Sequence, residues 1–254
     1  MQNIQGDSAI IEPLQSATGA LDHGPVGILV SSQADLNLFS DVLDLTARKS
    51  RKLFMSRVYQ GPEGICVAGP YIGAPYAVMI LETLIAWGVR TVLAVGWCGA
   101  ISPRVKIGDV VIPSAALIEE GTSIHYLGRG SDTVRPSDAV VDGLVSQVND
   151  CDISWHKGTV WSTDAIYRET REKVIRYQAA NVLAVEMETS ALFSVGKFRC
   201  IDVGAIVVVS DELAELQWRP GFRDKRFKTN RRKIAEIVSD FARKLANTSE
   251  KRGC

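Results

Sequence analysis

The stretch VGAIVVVSD, residues 203–211, is apolar from Val203 to Val209 and then ends in Ser210 and Asp211. A strand without a polar face is typical of a sheet that is covered on both sides. In such α/β folds, binding sites form beyond the carboxyl ends of the strands. This stretch therefore predicts a fold class, and its polar end indicates where the chemistry is expected.

Further strands and helices follow from the same reading of the chain. Apolar runs predict strands at residues 27–32, 64–69, 91–97, 108–115 and 182–187. Helical patterns lie between them at residues 74–87, 136–149, 168–178 and 227–246. This alternation predicts a three-layer α/β/α sandwich with a central mixed, mostly parallel sheet. We expect one domain over residues 1–254, with a core at about 22–246 and loose ends at 1–20 and 247–254.

The amino-acid composition and charge limit the classes of protein to which the chain can belong. The 254 residues are 46% hydrophobic and 23% charged, as in ordinary globular enzymes, and Lys plus Arg equal Asp plus Glu at 29 each. This balance gives no overall field that would attract nucleic acid or a membrane surface. Five scattered cysteines, three histidines and no CxxC pair argue against zinc and for a reducing compartment. With no secretory pattern at the start, we expect a cytoplasmic protein that needs no metal or cofactor.

Two glutamates, Glu186 and Glu188, interrupt the apolar run LAVEMETSALF at residues 183–193. Burying neighbouring carboxylates is costly unless a cation or hydrogen-bond donors meet them. They lie where a predicted strand ends and a helix begins, and the amino end of that helix stabilises negative charge. A sugar offers a second partner, because its hydroxyls donate to carboxylates and its ring becomes cationic as a glycosidic bond breaks.

Three other segments suggest a binding pocket, and each has a plain structural alternative. Asp211 ends a buried strand, so it is either a turn residue or a general acid, since a half-buried carboxyl can hold a proton near neutral pH. Trp161 follows a short strand and either packs in the core or stacks on a flat base. The glycines of GWCGA, residues 96–100, either form a turn or let a ligand approach the backbone.

Taken together, four segments resemble the nucleoside phosphorylase family, which includes purine nucleoside phosphorylases, uridine phosphorylases and methylthioadenosine nucleosidases. The resemblance runs from about residue 27 to 245, and it is most specific in the combination of VEME with a later VSD. The segments are VEMETSALF, IVVVSDEL, VGWCGAISPRVKIGDVVIPSA and EEGTSIHY. The resemblance implies the α/β fold already expected, and phosphate as co-substrate. It also implies a homodimer or homohexamer in which neighbours complete each site.

The resemblance also implies roles for individual residues. Glu188 would bind the ribose hydroxyls, with Met187 packing on the sugar and Glu186 supporting the pocket. Asp211 would protonate N7 of a departing purine, and Gly73 would open the helix beneath the site. The base-binding set would be Trp161, Ser210, Cys98, Gly99 and Val185. The phosphate or nucleophile region would comprise Ser32, Gly96, Trp97 and Arg223.

The sequence departs from the family pattern where phosphate is expected. Leu36 stands in place of one arginine, Ala94 in place of another, and Trp97 in place of a serine or threonine. Arginine supplies the usual charge-assisted bonds to a dianion. The absence of these phosphate ligands has three possible explanations. Other arginines replace the missing ones, water is the nucleophile in place of phosphate, or the pocket binds a nucleoside without reacting. Candidate replacements are Arg168, Arg219 and Arg223. Arg48, Arg51 and Arg57 are either residues that one chain donates to its neighbour's site or solvated surface residues. For the hydrolytic reading, the carboxylate nearest the first strand is Asp35.

The choice of base and the basic segment near the carboxyl end give further expectations. Asp211 favours purines because pyrimidines lack N7, and AIYRETREK holds no glutamine of the kind that uridine-specific relatives use. Residues 218–233 contain eight basic residues and one acid. This segment is a solvated helix start, a lid anchored by Trp218 and Phe222, or, least in favour, a nucleic-acid surface. We therefore predict a purine nucleoside phosphorylase, with a nucleosidase or a non-catalytic nucleoside-binding protein as the alternatives.

Overall fold

A computed structural model describes residues 9–13 and 24–250. It contains an eleven-stranded mixed sheet with α-helices on both faces, which confirms the predicted three-layer α/β architecture. The strands are β1 Val26–Val30, β2 Ser50–Leu53, β3 Ser56–Gln60, β4 Ile65–Gly69, β5 Thr91–Ala100, β6 Val110–Glu119, β7 Thr133–Val134, β8 Trp155–Thr163, β9 Ala184–Glu186, β10 Asp202–Glu212 and β11 Arg219–Pro220. The helices are α1 Gln33–Leu43, α2 Ala74–Ala86, α3 Ile124–Leu127, α4 Asp138–Asn149, α5 Arg171–Ala179, α6 Thr189–Arg199 and α7 Lys225–Glu250.

Each run of residues expected to form a strand or a helix does so, with shifted ends. The strand predicted at 108–115 extends to Glu119, and the helix predicted at 227–246 continues to Glu250. The predicted carboxyl-terminal loose end is therefore partly helical. The remainder of both predicted loose ends lies largely outside the described residues.

The sheet has an open half and a closed half. In the open half, β4, β1 and β5 run parallel, and the hairpin of β2 and β3 forms the edge. In the other half, β5 pairs with β10 and also with β9, and the path β10–β6–β8–β9 returns to β5. These five strands close into a ring. Closure brings the ends of β5, β9 and β10 together at one place.

Two hydrophobic layers hold the helices to the sheet. The layer under α2 and α6 includes Ala94 and Cys98 of β5, and the layer under α1, α4 and α7 includes Leu93 and Val95. Alternate residues of one strand thus enter opposite layers, as the period of a β-strand requires. Each fully buried aliphatic side chain contributes about 1.5–3 kcal/mol. The two layers therefore fix β5 and β10 rigidly beneath the residues that follow them.

Within residues 9–13 and 24–250, no helix is both long and apolar enough to cross a bilayer.

Candidate active site

Strand register places the predicted base and acid residues side by side. Gly99 of β5 lies opposite Asp211 of β10 on one side and opposite Val185 of β9 on the other. The register between β5 and β10 shifts between Val209 and Asp211, so that Ser210 is the extra residue of a bulge. Bulges of this kind re-aim side chains near functional sites. Here the shift coincides with the point at which the apolar strand becomes polar.

A side chain at position 99 would crowd three neighbouring side chains. A Cβ built there would lie 2.7 Å from Cδ1 of Leu213, 3.0 Å from Oδ2 of Asp211 and 3.4 Å from Cγ1 of Val185. The Asp211 carboxyl therefore rests against the bare backbone of Gly99. The GWCGA segment is therefore the end of strand β5 and not a turn, and Gly99 in it contacts the predicted acid.

Glu186 is buried but well supplied with donors. Its Oε2 accepts hydrogen bonds from the backbone N–H groups of Glu188 at 2.8 Å and Thr189 at 2.7 Å, and its Oε1 accepts one from Ser162 Oγ. The carboxyl thus caps the start of α6, where negative charge is stabilised. Burial nevertheless raises the pKa of Glu186, with these hydrogen bonds opposing the rise. Glu186 acts as a structural support that fixes the backbone of Glu188.

Glu188 reaches across to the helix on the opposite side of the pocket. Its Oε1 accepts a hydrogen bond of 2.5 Å from the backbone N–H of Gly73, the residue that begins α2 with φ at 81°. Burial, followed by the charge on Glu186, raises the pKa of Glu188 to about 8. Much of its population is therefore neutral near pH 7. A cationic or hydrogen-bonding ligand would favour the ionised form.

Asp211 completes the carboxyl group cluster. Its Oδ1 accepts from Ser210 Oγ at 2.6 Å, and its Oδ2 accepts from Trp218 Nε1 at 3.0 Å. Burial raises the pKa of the Cys98 thiol well above its usual value, and the charges of Asp211 and Glu186 add to this rise. The charges of Asp211 and Glu186 therefore both act on Cys98. The structure thus places Asp211 and Glu186 on either side of Cys98, while the small cavity that Glu186 and Glu188 line does not include Asp211.

The pocket beside Glu186 and Glu188 is nearly closed. A cavity of about 10 Å³, roughly the room that one water needs, is lined by Tyr71, Gly96, Trp97, Glu186 and Glu188 among others. A much larger cavity of about 950 Å³ lies at the opposite edge of the sheet, next to Thr91 and Asp202 where β5 and β10 begin, and it contains none of these carboxyl groups. Choosing the site by cavity volume alone would therefore select the beginning of β5 and β10, away from Glu186, Glu188 and Asp211.

Trp161 lies in the core. Its side chain is fully buried, its Nε1 donates to Glu119 Oε2 at 2.7 Å, and Tyr177 of α5 packs on the ring at a centroid distance of 4.6 Å. A ring with no exposed face cannot receive a base in this state. The structure thus gives Trp161 a packing role in place of the expected stacking role.

Three side chains fill the end of the pocket at which phosphate was expected. Trp97 Nε1 donates to Asp35 Oδ2 at 2.5 Å, and Arg231 Nε donates to Asp35 Oδ1 at 2.6 Å. The Arg231 guanidinium lies 4.7 Å from the centre of the Trp97 ring, and its side chain is only 11% exposed. Ser32 also serves this group, because its hydroxyl donates to Asp35 Oδ2 at 2.8 Å and caps α1. We call Asp35, Trp97 and Arg231 the acceptor-end cluster.

The arginines expected as replacements lie elsewhere. Arg168 and Arg223 are exposed, and Arg219 pairs with Glu212 at 3.5 Å. The guanidinium at the acceptor end comes instead from Arg231, which lies on α7. The sequence predicted that the start of this helix is exposed to solvent. Its charge is already matched by Asp35.

Comparison with known proteins identifies the family. A family model described as the phosphorylase superfamily matches residues 25–246. The chain belongs to the phosphorylase superfamily. This finding confirms the resemblance that the VEME and VSD segments indicated, and it covers the whole described fold from β1 to α7.

Several named members of the superfamily are similar to the chain. A guanosine phosphorylase from Halorubrum lacusprofundi is 33% identical over 192 residues, covering 74% of this chain and 78% of the relative. A DeoD-type purine nucleoside phosphorylase from Geobacillus kaustophilus is 32% identical over 160 residues, covering 61% and 65%. A uridine phosphorylase from Treponema pallidum is 31% identical over 156 residues, covering 57% and 60%. The chain thus spans less than two thirds of the latter two proteins.

A solved structure confirms the phosphorylase fold. The uridine phosphorylase from Vibrio fischeri ES114 superimposes with a TM-score of 0.74 over 86% of this chain and 91% of that protein, at 23% identity. At this identity the likeness concerns the fold. The curated relatives include both purine and uridine enzymes, so the superfamily leaves the base open.

Sequence reasoning missed four residues of this phosphorylase-superfamily site. Tyr71 lines the small cavity together with Trp97 and Glu188. Burial, then the charges of Glu188, Glu186 and Asp35, raise the pKa of its phenol well above the usual value. Burial and the charge of Asp211 raise the pKa of Glu169 to about 7. The other two missed contacts are Arg231 with Asp35 and Trp218 with Asp211. The aromatic signal at Trp218 and Phe222 was recognised only as a lid anchor, and no local pattern marks Arg231 or Glu169.

Among the described residues, no group of three or more His, Cys, Asp and Glu side chains is arranged to hold a metal ion.

Proposed function

We propose that the chain cleaves the N-glycosidic bond of a purine nucleoside with phosphate as acceptor, giving the free base and pentose-1-phosphate. The observation that carries the proposal is the placement of Asp211 against the backbone of Gly99, next to Cys98, on which the charges of both Asp211 and Glu186 act. Glu188 joins this group because its backbone N–H donates to Glu186. Membership of the phosphorylase superfamily supports it, and so does the similarity to a guanosine phosphorylase.

The sugar would lie against Glu188. As the bond from C1′ to N9 breaks, positive charge develops on the furanose ring, and an ionised carboxyl beside it stabilises this transition state more than the ground state. The raised pKa of Glu188, about 8, means that ionisation becomes favourable chiefly when that charge appears. Glu186 holds the backbone N–H of Glu188 and thereby fixes its position. Met187, half-buried between them, would pack on the sugar.

The base would lie against Asp211. The electron pair of the broken bond moves into the purine, and Asp211 delivers a proton to N7 so that the base leaves neutral. Ser210 orients the carboxyl through its 2.6 Å hydrogen bond, while Cys98 and Val185 line the same wall. A pyrimidine has no N7, so we expect purines to react much faster.

The acceptor would approach C1′ from the end that Gly96, Trp97 and Ser32 form. A phosphate oxygen would form the new bond to C1′ as N9 departs. The nearest guanidinium, that of Arg231, is held by Asp35 at 2.6 Å. Phosphate binding at this end therefore requires either exchange of that pair or a cation from a neighbouring chain.

Hydrolysis is the second candidate, and the acceptor-end cluster is the observation that favours it. Asp35 carries a negative charge where phosphate would sit, and its matching cation is already engaged. A neutral water meets no such repulsion. In this reading the same Glu188 and Asp211 act on the sugar and the base, and the product is a free pentose.

Product analysis decides between these readings. The purified protein is incubated with inosine, guanosine, adenosine and uridine, with and without phosphate, and both products are identified. Phosphorolysis predicts pentose-1-phosphate only when phosphate is present, and hydrolysis predicts free pentose in both conditions. Preference for uridine would contradict the role of Asp211. Binding of a nucleoside without turnover would overturn both reactions and leave the non-catalytic reading.

We also propose that the chain forms a homodimer or homohexamer. Phe54, Met55, Ile72 and Met79 are large exposed apolar side chains, and Ile72 adjoins the Gly73 that binds Glu188. Apolar side chains of this size commonly mark contact surfaces. Light scattering after gel filtration tests this, and a monomer would contradict it.

A further inference from the structure

Trp218 occupies a position at Asp211 that the proposed reaction leaves unexplained. Its Nε1 donates to Asp211 Oδ2 at 3.0 Å, although the residue is 63% exposed. In the proposed reaction that carboxyl must meet the base. The indole and the base therefore compete for one oxygen.

The backbone, and not a chance side-chain conformation, brings Trp218 back over Asp211. The strand β11 pairs antiparallel with the end of β10, with Pro220 opposite Asp211 and Arg219 opposite Glu212. The turn between them is closed by a 2.9 Å hydrogen bond from Leu216 N–H to Leu213 C=O, with Leu216 at a φ of 59°. A further bond of 2.8 Å from Gly221 N–H to Ser210 C=O fixes the return. Trp218 thus lies on a hydrogen-bonded hairpin.

Aromatic neighbours hold the indole at the mouth of the pocket. Phe222 lies 6.4 Å from Trp218 and 6.2 Å from Trp97, measured between ring centroids. Phe222 is itself 44% exposed. Two exposed aromatic rings therefore border the site, whereas Trp161 is enclosed. Flat bases gain stability by stacking on such rings.

We propose that Trp218 forms the aromatic wall of the base subsite and that its indole N–H occupies Asp211 until a purine takes over that carboxyl. The inference rests on the proposed function, since it assumes that a purine base meets Asp211. The exchange breaks one hydrogen bond, from Trp218 Nε1 to Asp211 Oδ2, and forms one between Asp211 and N7 of the base. A free base donates its N7–H to the ionised carboxyl. A nucleoside has no hydrogen on N7, so the carboxyl first takes up a proton from solvent and then donates it to N7. The ring of Trp218 then lies beside the base, with Phe222 behind it.

Two substitutions of Trp218 distinguish the effect of its indole N–H on base affinity from the effect of its ring. Trp218→Phe removes the competing donor but keeps an aromatic ring, so we expect binding of the free base to tighten about threefold to tenfold, the usual worth of one hydrogen bond. Trp218→Ala removes the donor and the wall, so we expect about tenfold weaker binding than in Trp218→Phe. Because Trp218 is mostly exposed, both variants should fold. Trp155→Phe is the matched control, since Trp155 begins β8 opposite Val110 and packs against the helix layer of α1, α4 and α7, so its change should leave affinity unchanged.

Isothermal titration with hypoxanthine and adenine measures these affinities without reference to turnover. The expected order of affinity is Trp218→Phe, then wild type and Trp155→Phe together, with Trp218→Ala weaker than Trp218→Phe. Equal affinities for wild type and both Trp218 variants would overturn the inference and leave the proposed function intact. Equal tightening in both variants would also overturn it, because the ring would then form no wall. Failure of every form to bind either base would overturn the purine assignment itself.

Discussion

Replacing Arg231 by methionine tests whether the acceptor-end cluster is a built part of the fold. The guanidinium of Arg231 donates to Asp35 at 2.6 Å, and the two side chains are 11% and 4% exposed. Methionine keeps most of the side-chain length but removes the charge. Asp35 then keeps its hydrogen bonds from Trp97 Nε1 and Ser32 Oγ but loses its cation.

The magnitude follows from what remains around Asp35. Removing one partner of a buried ion pair costs about 3–5 kcal/mol, because a charge stays buried without compensation. Two remaining donors reduce this cost, while loss of the guanidinium from the Trp97 ring adds about 1 kcal/mol. We therefore expect Arg231→Met to lower the free energy of unfolding by about 3–4 kcal/mol, a large part of the ~5–15 kcal/mol typical of a domain.

Denaturant unfolding followed by circular dichroism measures the change, and a double-mutant cycle assigns it. Asp35→Asn removes the carboxylate charge, so the double variant Asp35→Asn/Arg231→Met should be at least about 1–2 kcal/mol more stable than the sum of the single changes implies. Arg243→Met is the matched control on the same helix. Arg243 pairs with Asp240 at 2.9 Å, but the two side chains are 33% and 64% exposed, so its loss should cost less than about 1 kcal/mol.

The reasoning would be refuted by an Arg231→Met variant as stable as the Arg243→Met control. It would equally be refuted by strict additivity in the cycle. Either result would mean that Asp35 and Arg231 are not energetically coupled.

Three further predictions concern Asp211, Glu188 and the glycine that Asp211 contacts. Asp211→Asn should lower turnover of a purine nucleoside by about 10²–10⁴-fold in a base-release assay, because an amide cannot supply the proton to N7; near-normal turnover would exclude the acid role. Glu188→Gln should flatten the pH dependence of unfolding. The folded pKa of about 8 exceeds the usual 4.5, so the stability that Glu188 contributes is complete below about pH 4.5 and is lost as pH rises from there through 8. The variant should gain on the order of 2 kcal/mol near pH 9 relative to wild type, and an unchanged slope in denaturant unfolding would contradict this. Gly99→Ala should cost about 1–3 kcal/mol in unfolding free energy and impair turnover, because its Cβ would lie 2.7 Å from Leu213 Cδ1 and 3.0 Å from Asp211 Oδ2 and displace these side chains; a neutral effect would mean that both side chains move aside at little cost.

The buried strands and the carboxyl groups at their ends were predictable from local sequence. An uninterrupted apolar run such as VGAIVVVSD has few alternatives to a covered strand, and its abrupt polar end marks Asp211. Glu186 and Glu188 stand out for the same reason, because charged residues within an apolar run require partners. These signals depend only on neighbours in sequence.

Contacts between distant segments were not predictable in this way. Asp35 and Arg231 are 196 residues apart, and Arg231 lies in a basic run whose other members are mostly exposed. The burial of Trp161 depends on α5 packing over β8, which the residues around the tryptophan do not encode. The closed half of the sheet was missed because short strands such as β9 and β11 gain their stability from pairing with β5 and β10.

The most direct test of the central claim is the position of a bound purine nucleoside in a crystal of the Asp211→Asn variant, in which turnover is slow. The account predicts that the ribose hydroxyls lie within hydrogen-bonding distance of Glu188 and that N7 of the base faces residue 211. A nucleoside found instead in the large cavity beside Thr91 and Asp202, or one bound with Glu188 and residue 211 on different ligands, would contradict it.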